Sequence, residues 1–168
     1  MMHEEDGPLA ATDLGFEPIT PHTGTAFGLL RLSAMLSDEL DRELQASAGI
    51  GLSEMLVLIQ LMLAGGRAKM AELATTLVVT RGGVTKIVDR LVDGGLVERV
   101  PSTSDRRVIY AEVTERAKAT VREYQPLFDE IARRRLAELL DAGEMTELAG
   151  LIDRLNCENP GWEPPLAR

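Results

Sequence analysis

At 168 residues, with 45% apolar residues and a mean hydropathy of −0.02, the chain has room for one domain plus helices for self-association and can build a core. With aromatics at 4%, that core must be mainly aliphatic, and no apolar run approaches the ~18 residues of a membrane span. The acidic start, Met1 to Asp13, lacks the basic-then-apolar order of a secretory signal, so the expected location is cytoplasmic, and a lone cysteine fits a reducing compartment.

Residues 1–20 carry Pro8, Pro18 and several acids without a sustained period and read as a flexible tail. From about Thr23 to Ala48, the stripe Leu29, Leu32, Leu36, Leu40, Leu44 predicts an amphipathic helix ended by Gly49 and Gly51. Ser53 is the expected N-cap of a second helix, Glu54 to Ala64, stopped by Gly65-Gly66. It is apolar nearly all round, as expected of the buried centre of a domain. A short helix over Lys69–Thr76 follows. Thr80 then caps a helix running to about Asp93, closed by Gly94-Gly95. Its apolar stripe is Val84, Ile87, Val88 and Leu91; the opposite face carries Arg81, Thr85, Lys86 and Asp89. Two helices joined by a short turn, the second with a cationic face, form the pattern of a helix-turn-helix.

The period then changes. Leu96–Val100 and Ile109–Val113 read as strands around the turn residues Pro101 to Asp105, a wing-like hairpin. Thr114-Glu115 opens a long helix to about Leu140 with an expected kink at Pro126. Asp141 and Glu144 have capping-box spacing for a last helix to about Leu155, with the stripe Met145, Leu148, Leu151, Ile152, Leu155. Residues 157–168, with three prolines, read as irregular.

The net charge of −9 argues against nucleic acid if taken as an average. Its distribution argues otherwise. Thr80 to Arg107 holds six basic residues against four acids, a local +2, so the remainder carries −11. No phosphate-cradling glycine loop, HExxH or CxxC occurs, and His3 and His22 are the only histidines. Neither an enzyme, a cofactor nor a metal site is expected. Cys157 reads as a bystander thiol.

The stretches LSEMLVLIQLM, AELATTL, VTRGGVTKIVDRLVDGGLVERV and SDRRVIYAEVTERAKA, from Leu52 to the closing helix, resemble the MarR (multiple antibiotic resistance regulator) family. The most specific part is GLVERV followed by SDRR and EVTERAKA. The resemblance implies a mainly α (α+β) fold: a winged helix-turn-helix lobe over residues 51–114 with a two-stranded β wing. Helices from both chain ends, 21–50 and 115–156, would form a dimerisation region. It also implies a homodimeric regulator on pseudo-palindromic double-stranded DNA, most often a repressor that responds to a small aromatic or phenolic effector.

The residues expected to meet DNA are Thr80, Arg81, Gly82, Gly83, Thr85, Lys86 and Arg90 in the helix, and Asp105, Arg106 and Arg107 in the wing. Thr80 and Arg81 sit at the helix start, where unpaired amides favour phosphate. Gly82 and Gly83 either let DNA approach or simply reflect tolerance near a helix end. Thr85 and Lys86 are the groove candidates, while Arg90 serves a phosphate or pairs with an acid. The resemblance gives Arg107 to the minor groove, positioned by Asp105, and Arg106 to a phosphate. An effector cleft would involve Arg31, Met55, Met62 and Tyr124. A winged-helix protein-interaction module that does not bind DNA is the rival reading.

Overall fold

A computed structural model describes residues 19–77, 81–105 and 107–156. In chain order the elements are α1 (Pro21–Ala48), α2 (Leu52–Leu63), β1 (Arg67–Lys69), α3 (Met70–Thr76), α4 (Arg81–Asp93), β2 (Val97–Pro101), β3 (Ile109–Val113), α5 (Glu115–Ala132), a π-helical turn (Arg133–Ala137) and α6 (Ala142–Asn156). The chain divides into two units, one ending at Met35 and one starting at Leu36.

The first unit holds the N-terminal half of α1. Phe27, Leu29, Leu30 and Met35 are all exposed there. The second unit is organised by α2. Met55, Val57, Leu58 and Leu61 have no exposed surface, as its nearly all-round apolar sequence requires, although Leu56 and Leu63 still reach solvent. Around them gather Leu44, Leu73, Val84, Val88, Leu91, Val97, Ala111, Val113, Ala117 and Val121. Each large aliphatic side chain so buried contributes about 1.5–3 kcal/mol. Among the described residues of α6, none is buried.

The helix ends follow local chemistry, with one correction. α2 starts at Leu52, so Ser53 lies inside the helix and is not its N-cap. Gly51 takes that place, and the Glu54 carboxylate accepts the Gly51 N–H. Gly49, Gly65, Gly66 and Gly95 all have positive φ, the left-handed backbone that closes a helix without a Cβ penalty. Thr114 caps α5 by accepting the Ala117 N–H at 3.2 Å. The expected capping box of α6 is present: Asp141 accepts the Glu144 N–H at 2.9 Å, and Glu144 accepts the Asp141 N–H at 2.8 Å. The Thr80 cap lies outside the described residues.

The expected two-stranded wing is formed by β2 and β3, and its sheet gains a third strand on the far side of β3. Three antiparallel strands take the order β1-β3-β2, with Ala68 and Arg99 both opposite Ala111. The added strand, Arg67–Lys69, is three residues long with one buried side chain, too short to carry a readable period of two. After β3 comes the long helix. Pro126, which has no N–H to give, lies within α5, and the α pattern gives way to a π turn at Arg133–Ala137, where the Glu138 N–H reaches the Arg133 carbonyl at 3.3 Å.

Candidate nucleic-acid interface

In α4 the stripe Val84, Val88 and Leu91 is buried, which turns that face of the helix inward and leaves Thr85 and Lys86 exposed. Gly82 is exposed, and a Cβ added there would meet nothing within 4 Å, so packing within the chain does not demand a glycine. Arg81 begins the helix. Thr80 and Arg106 lie outside the described residues.

Arg90 takes the second of its two sequence readings. Its Nε donates to Oε1 of Glu54 at the start of α2. The preceding residue, Asp89, accepts from Arg99 of β2 at 2.6 Å. Consecutive residues thus tie α4 to α2 and to the sheet.

The wing turn is built on Ser102, which is buried although its neighbours Thr103 and Ser104 are exposed. Its hydroxyl accepts the Ser104 and Asp105 N–H groups, both at 3.3 Å, and its own N–H donates to the Val108 carbonyl at 2.9 Å. The turn residues in the sequence marked the bend, but nothing in their order singled out Ser102 as its anchor. At the tip, Arg107 is 91% exposed. Its Nε and Nη2 donate to the two carboxylate oxygens of Asp105 at 3.1 and 3.3 Å, and its backbone N–H donates to the same side chain at 3.0 Å. The expected pairing is therefore formed. Hydrogen bonds from the Arg107 side chain, and secondly its backbone, hold the Asp105 carboxyl below the usual carboxylate range.

Sequence reasoning missed a further cation on this sheet. Arg67 of β1 lies over the Tyr110 ring, 4.0 Å from its centroid, and reaches Glu112 at 4.0 Å.

The four residues expected around an effector cleft have unlike surroundings. Met55 has no exposed surface and belongs to the core, which corrects its assignment to an open cleft. Met62 is half-buried against that core. The Tyr124 hydroxyl donates to the Ser47 carbonyl at 2.7 Å. Arg31 is exposed on α1 in the first unit. An open polar pocket of about 290 Å³ is lined instead by Glu39, Arg134, Arg135 and Glu138. Among the described residues, no group of three His, Cys, Asp or Glu side chains is placed to hold a metal ion.

Residues 48–108 match the sequence model of the MarR family. A curated relative, the multiple antibiotic resistance protein MarR of Escherichia coli (strain K12), is 31% identical over 84 residues, 50% of this chain and 58% of the relative. The crystal structure of AbsC, a MarR family transcriptional regulator from Streptomyces coelicolor, matches with a TM-score of 0.73 at 26% identity, over 88% of this chain and 100% of AbsC. Over residues 48–108 the chain resembles the MarR family, and its fold is that of the family's winged-helix regulators. A second MarR-family structure, that of Sco3205 from the same organism in complex with DNA, matches with a TM-score of 0.74 at 25% identity, over 90% of this chain and 100% of its own. In this winged-helix fold, α3 and α4 are the helix-turn-helix and the β2–β3 turn is the wing tip. No single helix among the described residues is long and apolar enough to cross a membrane.

Proposed function

We propose that this chain is a sequence-specific DNA-binding regulator of transcription, not an enzyme, and acts as a homodimeric repressor on a pseudo-palindromic operator. The observation that carries the reading is the wing tip: an almost fully exposed guanidinium, Arg107, pre-set by a two-oxygen bond to Asp105. A fixed guanidinium suits a narrow, electronegative minor groove, and Thr85 and Lys86 on α4 suit the adjacent major groove. Sco3205, solved with DNA, lends this reading support through the shared fold. The dimer reading rests on exposed apolar side chains at both chain ends: Phe27, Leu29 and Leu30 on α1, and Leu151, Ile152 and Leu155 on α6. A two-fold dimer presents its recognition helices about 34–36 Å apart, one turn of B-DNA.

Fluorescence anisotropy against the DNA upstream of the protein's own gene, across a salt series and beside a scrambled duplex, tests the proposal. Expected is tight binding that prefers the upstream duplex and weakens, for each tenfold rise in salt, by about 0.9 logarithmic units per neutralised phosphate. Arg107→Ala should weaken it by about 1–3 kcal/mol, and unchanged affinity would remove the wing assignment. Failure to enrich any site from random duplexes would leave the protein-interaction reading. We further propose that a small aromatic or phenolic effector releases the operator. A panel of phenols and aromatic acids that leaves the preformed complex unchanged would remove this element.

A further inference from the structure

A polar joint runs from α1 through the start of α2 to the end of α4, all within the second unit. Oδ1 of Asp41 on α1 accepts the Leu52 N–H at 2.7 Å. Glu54, whose side chain is only 11% exposed, places one carboxylate oxygen on the Gly51 N–H and the other on Nε of Arg90. The space at Gly51 reports the same crowding independently. A Cβ there would stand 3.0 Å from Asp41 Oδ1, 3.0 Å from Gln45 Nε2 and 3.1 Å from Glu54 Oε2. Its φ of −84° is open to any residue, so a side chain there would require only that these crowded polar groups give way by a few tenths of an ångström.

Arg90 and Lys86 are four residues apart on α4 and share a face. A restraint on the Arg90 head therefore restrains the roll of the helix and the direction in which Lys86 and its neighbour Thr85 point. One residue of helical rotation is about 100°, so even a fraction of it would carry Lys86 out of register with a base pair.

We propose that Glu54 and Arg90 are positioning residues for DNA recognition: the Glu54 carboxylate, held at the α1–α2 corner, sets the roll of the recognition helix through Arg90. This rests on the DNA-binding reading above, and it takes Arg90 away from the phosphates. The two roles for Arg90 predict opposite signs for one substitution. On charge alone, Glu54→Gln removes a negative group beside DNA and frees a guanidinium, so affinity should rise. If Glu54 positions the helix, affinity should fall, on the order of tenfold for the loss of a charge-assisted bond.

The test uses the full-length chain and three variants, Glu54→Gln, Arg90→Gln and the double, with operator affinity read across a salt series. Amide hydrogen exchange is read on the free proteins. Expected are a similar loss in each single variant, no further loss in the double, a salt slope equal to wild type, and faster exchange along α4 with β2 and β3 unchanged. Equal or tighter binding by Glu54→Gln would overturn the proposal, as would a salt slope reduced by about 0.9 in Arg90→Gln, the mark of a phosphate contact. If the wild-type chain enriches no duplex, the DNA-binding reading itself has failed. Exchange then decides the joint alone, and unchanged α4 protection in both single variants overturns it.

Discussion

Helices α2 and α6 both carry dense apolar stripes, yet they meet different fates. In α2, four aliphatic or thioether side chains lose all contact with solvent. In α6, Met145 and Leu148 are half-buried, while Leu151, Ile152 and Leu155 stay exposed, Leu155 at 70%. An apolar stripe states that a helix will be covered; it does not state by which chain. The lobe around α2 covers its own stripe, while the stripe of α6 stays open among the described residues, as the proposed homodimer requires.

The largest expected effect comes from opening the covered side of this contrast. Leu58→Ala leaves a cavity inside the lobe and should cost about 2–5 kcal/mol, read as a lowered midpoint in denaturant unfolding. A cost below about 1 kcal/mol would mean that the lobe core is loosely packed. Next, Leu151→Glu combined with Leu155→Glu should move the protein from dimer toward monomer in sedimentation velocity while the lobe's secondary structure persists. A dimer that survives both charges would place its interface elsewhere. Smaller still is Thr114→Ala, about 1 kcal/mol. That hydroxyl caps α5 and also donates toward the Gly95 and Leu96 carbonyls, joining the helix to the turn after α4, so a silent substitution would deny it both roles.

The smallest effect belongs to the wing. Asp105 has a lowered carboxyl pKa, so its contribution to the folded state is present above the ordinary carboxylate range and is lost as pH falls through the folded value. An NMR titration should find that carboxyl ionised below its usual range, and Arg107→Ala should return it toward normal. A normal value in the unsubstituted protein would mean that the tip pair does not persist in solution.

Much of the lobe was legible because its signals are local. A nearly all-round apolar run marked α2, a stripe of period 3.6 marked α4, the Gly65-Gly66 and Gly94-Gly95 pairs marked stops, and the Asp141–Glu144 spacing marked the start of α6. The wing pair of Asp105 and Arg107 is also local, two residues apart. What escaped was set at a distance. β1 exists because Ala68 finds Ala111. Glu54 reads as a first-turn acid from its neighbours alone, and its link to Arg90 needs α2 and α4 already packed. Met55 and Met62 look alike in sequence, but one lies at the core centre and the other at its margin. The π turn follows α5 with no proline or glycine among its five residues, so no breaker announced it.

The central place of β3 also bears on how the chain acquires its shape. Strand β1 just before α3 and strand β2 just after α4 both hydrogen-bond to β3, so the helix-turn-helix is a loop whose two ends are fastened by a segment that comes after both. During synthesis, a chain that has not yet emerged past Ile109 has α3 and α4 made but no strand to fasten either end. Closing that long loop costs entropy that only the complete sheet recovers, so the helix-turn-helix and the wing beside it should become ordered in a single cooperative event.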